Sequence, residues 1–226
     1  MNDEARAMIE GCAALLLDFD GPMTKLLPAP KNAELAEAAC GPLLAAGSEL
    51  PDDIATTTDH LKVLRWAGEH APDQLDAVEA VIIAGEVEAA QVSEPTDGLV
   101  ELLRRHGHKT IVVTNNAPEA AQAFLDRLGE DGVPVRVCGR PAGHPELMKP
   151  SPHMLQLAAK LADADPSGCL MIGDHASDAD AATAIKCPFL GFATTPNHAS
   201  RLRALAHGVV TSFLDCCSRG QAVKTP

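Results

Sequence analysis

Short, almost wholly apolar runs punctuate this chain, separated by longer stretches in which apolar residues recur every three or four positions. The runs fall at residues 13–18, 110–114, 133–138, 169–173, 189–193 and 209–211. Apolar runs bounded by turn residues suit strands buried on both faces, and their alternation with amphipathic segments predicts a parallel sheet covered by helices. Helices are expected at 98–106, 118–128, 152–161 and 199–206, several opening at proline or after an Asn or Thr cap. The turn Gly129-Glu130-Asp131-Gly132 precedes the third strand.

The alternation fails between residues 29 and 93, where no strand pattern appears. Helices are expected instead at 32–46, 51–68 and 72–91, the last with an apolar stripe through Leu75, Val78, Ala80, Ile82, Ile83 and Val87. One reading is a small second domain hung over the strand ends by linkers near Pro28-Ala29-Pro30 and Ser93-Glu94-Pro95. The other is a helical extension packed on the sheet edge. Lids that exclude water sit over sites at strand ends, which favours the first. The chain then divides into a core of residues 1–28 and 95–226 and a helical cap of residues 29–94. The tail, residues 220–226, is expected to fray.

Composition limits the partners. The 226 residues suffice for one or two domains with a proper core, and at 3% aromatic content Ala, Leu and Val must fill it. Lys and Arg number 18 against 31 acids, a net charge of −13 that repels nucleic acid and anionic membranes. No stretch approaches the ~20 apolar residues of a membrane span. Residues 1–10 lack the basic head and apolar core of a secretory signal. The seven cysteines show no C-x-x-C pair and are odd in number, so reduced thiols in a cytoplasmic protein are expected.

Four strand ends or helix starts carry the candidate chemistry. The first strand ends in Asp18-Phe19-Asp20-Gly21. Alternation puts both carboxylates on one side, where they repel unless a cation intervenes or one keeps its proton. A solvated turn is the plainer alternative. The second strand ends in Thr114-Asn115-Asn116, either a phosphate cradle beside free helical N–H groups or a simple helix cap. Lys149 lies between a strand and a helix in Lys149-Pro150-Ser151-Pro152. Its prolines fix the backbone, so the ammonium would pair with a carboxylate and a phosphate oxygen, or else sit on the surface. The fourth strand ends in Gly173-Asp174, with Asp178 and Asp180 following. These acids suit hard-oxygen ligation of Mg²⁺ or, as Asp180 does best, complement the helix macrodipole. His175 adjoins the site and is a poor magnesium ligand.

The order Asp-x-Asp-Gly, Thr, Lys-Pro, Gly-Asp-x-x-x-Asp resembles that of the haloacid dehalogenase-like hydrolase superfamily over essentially the whole chain. It looks most like the phosphoglycolate phosphatase-like group, with a helical C1-type cap after the first motif. The resemblance implies an α/β fold: a Rossmann-like parallel sheet flanked by helices, with the strands of Asp18, Thr114 and Asp174 adjacent. It implies Asp18 as the nucleophile and Asp20 as the general acid and base. Thr114 and the Asn115 amide would hold phosphate, and Lys149 would neutralise charge. Mg²⁺ would sit on Asp18, Asp174 and the Asp20 carbonyl, with Asp178 orienting Lys149 or a water. The family commonly has threonine where this chain has Pro22, and a further aspartate near Thr24-Lys25.

The expected activity is therefore Mg²⁺-dependent hydrolysis of a small soluble phosphate ester through an aspartyl phosphate, by a monomer or homodimer. The cap residues His60, Lys62 and Arg65 are candidate substrate contacts, Arg65 the foremost. A phosphomutase of the β-phosphoglucomutase type would use the same two aspartates. A non-catalytic binding relative would be expected to have lost the nucleophile or the metal-binding acid.

Overall fold

The computed structural model describes residues 2–129 and 135–217. A first helix, α1 (Asn2–Gly11), leads into β1 (Ala14–Leu17). Four helices follow: α2 (Lys31–Ala45), α3 (Asp52–Ala55), α4 (His60–His70) and α5 (Leu75–Ala90). The chain then alternates through α6 (Leu99–His106), β2 (Thr110–Val113), α7 (Pro118–Arg127), β3 (Arg136–Cys138), α8 (His153–Leu161) and β4 (Cys169–Gly173). It ends with α9 (Ala176–Ala184), β5 (Phe189–Phe192), α10 (Pro196–Leu202), β6 (Gly208–Val210) and α11 (Leu214–Cys217).

The six strands form one all-parallel sheet in the order β3-β2-β1-β4-β5-β6. Both faces are buried, and the period of two is visible in the packing. Leu15, Leu17, Val112, Leu170 and Ile172 join the apolar cluster on one face, and Leu16, Ile111, Val113 and Met171 that on the other. Successive strands run outward one way from β1 and then the other way from β4. The order therefore reverses between β1 and β4, and the crevice beyond their carboxyl ends is the natural ligand site of such a sheet.

Helices α2 to α5 lie between β1 and β2 and carry a third apolar cluster, built from residues such as Leu43, Val63, Leu64 and Ile82, with Met148 from outside the insertion. The two connections run together. Thr24 donates to the Glu94 carbonyl at 2.8 Å, and the Thr96 N–H donates to the Met23 carbonyl at 2.9 Å.

Several expectations are corrected. The single helix over residues 51–68 is two, α3 and α4, broken at Thr56-Thr57-Thr58-Asp59. β-Branched residues stiffen that stretch, and the Asp59 carboxylate accepts the N–H groups of Leu61 and Lys62, starting a new helix. Ala80 points to solvent; the buried face of α5 includes Glu79 and Glu86 instead. Helix α10 begins at Pro196, because Thr195 caps it through the His198 N–H. Helix α1 escapes the periodicity because Ala5 and Ile9 alone are buried among its described side chains. Val133, most of the Gly129-to-Gly132 turn and residues 220–226 lie outside the described residues.

Cys12, Cys40, Cys138, Cys169 and Cys187 are free thiols. Burial pushes Cys169 up to about 11 and Cys187 up to about 12. Among the described residues no helix is long and apolar enough to cross a membrane.

Candidate active site

Asp18 directly follows β1 and is nearly buried. Its N–H continues the sheet by donating to the Ile172 carbonyl at 2.9 Å. Phe19 turns into the core and meets Phe124 edge-on, with ring centroids 5.3 Å apart. That anchor lets the flanking acids face the crevice. Asp18 Oδ1 accepts the Phe19 N–H at 2.8 Å and pairs with Lys149 Nζ at 2.8 Å. Asp20 is half-buried, and its Oδ1 accepts the Leu26 N–H at 2.9 Å. Burial raises its pKa above the usual carboxylate range against that hydrogen bond.

Lys149 is buried, and its position is fixed from both ends. Its ammonium donates to the Val113 carbonyl at 2.9 Å and pairs with Asp178 Oδ1 at 2.6 Å as well as with Asp18. Its backbone is clasped by Asn115, whose Oδ1 accepts the Lys149 N–H at 2.7 Å and whose Nδ2 donates to the Lys149 carbonyl at 3.0 Å. The Asn115 side chain is thus committed to Lys149. Burial opposes the charge on Lys149, yet Asp178 and Asp18 outweigh it and hold the ammonium at about 12.

Asp174 follows β4, and Asp178 lies one turn into α9. The His175 N–H donates to Asp178 Oδ2 at 3.0 Å, part of a capping box at the start of α9. Close approach explains two glycines. A Cβ on Gly173 would collide with the Asp178 carboxylate, and one on Gly21, at φ +110°, would fall on Asp174 Oδ2. Carboxylate oxygens of Asp18, Asp174 and Asp178 all lie within 4.8 Å of one another. One ammonium cannot neutralise three such acids. Burial first, and then the charges of Asp18 and Asp178, push Asp174 up to about 8. Burial and Asp178 push Asp18 up to about 7 in spite of Lys149. A crowded all-oxygen donor set with surplus negative charge fits a hard divalent cation.

Thr114 is fully buried at the end of β2. Its hydroxyl donates to Asn116 Oδ1 and accepts the Asn116 N–H, each at 3.0 Å. Asp18, Asp20, Thr114, Asn115, Lys149, Asp174 and Asp178 line one cleft of about 750 Å³. The insertion closes part of it with Thr58, Asp59, His60 and Arg65. Arg65 also donates to the Lys149 carbonyl at 3.2 Å. Lys62 instead pairs with Asp53 at the surface. Asp180 is exposed.

A buried polar network joins α5 to the core. Arg140 lies 3.2 Å from Glu79 and 3.1 Å from Glu86. Glu86 also accepts from Asn116 and the Ala117 N–H and bonds to His60. The sequence carries one signal for it: Glu79 and Glu86 share a helix face with Val78 and Ile82, and a charge on an apolar face implies a buried partner. Arg140, in a loop, gives no such signal.

A sequence profile of haloacid dehalogenase-like hydrolases matches residues 12–186. No curated protein sequence matches the chain. Among solved structures, it is similar to a HAD family hydrolase from Deinococcus radiodurans with bound phosphate and sodium. That likeness has 22% identity and a TM-score of 0.56, over 91% of this chain and 93% of that one. A predicted phosphoglycolate phosphatase from Haemophilus somnus gives 19%, 0.61, 91% and 96%. A putative phosphoglycolate phosphatase from Lactobacillus plantarum gives 19%, 0.60, 90% and 97%. At such identities the likeness to these structures speaks for the fold.

Proposed function

The chain belongs to the haloacid dehalogenase-like hydrolase family, and we propose that it is a phosphomonoester hydrolase acting on a small phosphorylated metabolite through an aspartyl phosphate. One observation carries this reading: Lys149 bridges Asp18 and Asp178 in the cleft that also holds Asp20, Thr114 and Asp174.

Asp18 Oδ1 is engaged by Lys149 and the Phe19 N–H, whereas Oδ2 has no hydrogen-bond partner among the described residues. Oδ2 is the oxygen that attacks phosphorus. As that bond forms, the phosphorus–oxygen bond to the leaving group breaks, and Asp20 gives the departing oxygen its proton. Burial favours the protonated form of Asp20 that this step needs. Asp20 then takes a proton from water as the water oxygen attacks phosphorus, which frees the Asp18 carboxylate and inorganic phosphate. Lys149 offsets the charge on Asp18 and the phosphoryl group, while the Asn115 N–H, and the Thr114 hydroxyl once it turns its one proton away from Asn116 Oδ1, hold phosphoryl oxygens. Asp18, Asp174 and the Asp20 carbonyl would hold Mg²⁺, which would supply further charge neutralisation, and Asp178 orients Lys149. Residues 29–94 form the cap over a core of residues 1–28 and 95–226 and exclude bulk water.

The test is phosphate release from a broad set of esters, with and without Mg²⁺, beside Asp18→Asn. Mg²⁺-dependent release that the variant abolishes is expected. Isomer interconversion without release would assign the chain to phosphoryl transfer between substrates, and no reaction on any ester would leave a binding protein.

A further inference from the structure

Glu86 projects from α5 into the seam between the insertion and the core and is fully buried. Its carboxylate binds groups on both sides of the cleft. Oε1 lies 2.9 Å from His60 Nε2, 2.9 Å from Asn116 Nδ2 and 3.1 Å from Arg140 Nη1. Oε2 accepts the Ala117 N–H at 2.7 Å and the same Arg140 nitrogen at 3.1 Å. Because Nδ2 of Asn116 is turned toward Glu86, its Oδ1 faces the Thr114 hydroxyl. The partner that the Thr114 hydroxyl must exchange for a phosphoryl oxygen is therefore set, through Asn116, by a carboxylate of the insertion.

The other arm reaches His60, which lines the cleft with Asp20 and Arg65. An ionised Glu86 accepts, so His60 Nε2 donates to it and Nδ1 is the ring nitrogen left for another partner. Among the described residues Nδ1 has no hydrogen-bond partner. A ring nitrogen in the cleft that also holds Asp20 suits a leaving group that bears a hydroxyl, which can donate or accept.

Resting on the phosphoester-hydrolase reading, we propose that Glu86 is a positioning residue that ties two substrate-reading groups together: Thr114, through Asn116, on the phosphate side, and His60 on the leaving-group side. His60 then contacts a hydroxyl of the substrate, and the two arms are energetically coupled although His60 and Asn116 share no hydrogen bond.

The test is steady-state kinetics on a hydroxylated ester, glycerol 2-phosphate, and an ester without a hydroxyl, p-nitrophenyl phosphate. The proteins are wild type, His60→Ala, Asn116→Ala, the double variant and Glu86→Gln. His60→Ala is expected to raise KM about tenfold for the hydroxylated ester and, because it also loosens Glu86, to cost the aryl ester a smaller factor of about threefold in kcat/KM. Asn116→Ala lowers kcat on both. The double variant loses less than the product of the single losses, since either change already frees Glu86. Glu86→Gln lowers kcat/KM by about 10²-fold. If it does not fold, the double variant still reads the coupling. Independent, multiplicative losses in the double variant would overturn the inference. So would a Glu86→Gln protein that melts earlier but keeps its kcat/KM. An inert wild type, matched by Asp18→Asn on every ester screened, sinks the hydrolase reading and this inference with it. An active wild type with uncoupled arms sinks the inference alone.

Discussion

The ammonium of Lys149 lies 2.8 Å from the Asp18 carboxylate, and the same nitrogen pairs with Asp178 at 2.6 Å. One buried cation thus serves two buried acids, while Asp174 makes no ion pair among the described residues. The site holds more negative charge than its own residues offset. That imbalance has consequences for stability as well as for chemistry.

Lys149→Met should abolish turnover and also destabilise the protein. Removing one member of a buried ion pair strands the others, at a cost of about 3–5 kcal/mol. The stranded acids take up protons to limit that cost, so the loss should deepen as pH rises. Urea denaturation at pH 5.5 and 8 checks this. A destabilisation independent of pH would place Asp18 and Asp178 outside the influence of Lys149.

With metal removed, stability should fall as pH rises from about 5 to 8.5. Asp18 is held at about 7 and Asp174 at about 8, both above the ~3.9 of an unfolded chain. The folded protein therefore keeps protons that the unfolded chain releases. The contribution is complete below about pH 4 and is lost as pH climbs through 7 and 8. Glu86 has the opposite sign: despite burial, His60 and Arg140 lower its pKa, so its contribution is lost only under acid, outside this window. Mg²⁺ should flatten the decline by stabilising the ionised acids. Thermal unfolding in chelator and in excess Mg²⁺ at four pH values reads both effects; matching curves would argue against a cation at these carboxylates.

Gly21→Ala should weaken metal activation beyond any loss of stability. At φ +110° a side chain strains the backbone by about 1–3 kcal/mol, and here its Cβ would also displace Asp174. Gly47 separates the two effects, because its φ is +81° and a Cβ would meet nothing within 4 Å. Gly47→Ala is expected to lower Tm with an unchanged Mg²⁺ requirement. Gly21→Ala should raise the Mg²⁺ concentration for half activity as well.

The parallel sheet was legible because buried strands write themselves as apolar runs ending in polar residues, as Leu17-Asp18 and Gly173-Asp174 do. Helices were less so where a cap outranked periodicity: Asp59 restarts a helix that the apolar pattern runs straight through. Site residues next to strand ends, such as Asp18 and Thr114, could be named from position. Roles that depend on a distant partner could not. Nothing in the sequence near Asn115 says that its side chain holds the backbone of Lys149, or that Glu86 reaches Asn116. Such contacts join segments far apart in the chain, and local pattern carries no trace of them.

Thr114 separates a chemical role from a packing role most cleanly. Its hydroxyl satisfies both Asn116 Oδ1 and the Asn116 N–H in a fully buried setting. Thr114→Val keeps the volume but removes both bonds, which should cost about 1–3 kcal/mol in stability for the polar atoms left behind. If the hydroxyl also holds a phosphoryl oxygen, kcat should fall by about 10²–10³. Thr114→Ser retains the hydroxyl and loses a methyl group, so it should lose some stability while keeping most of kcat. Phosphate release and denaturation on the three proteins decide between the roles. A valine variant that melts early but turns over normally would confine Thr114 to holding Asn116; a serine variant as slow as valine would show that the methyl group, through packing, sets the geometry.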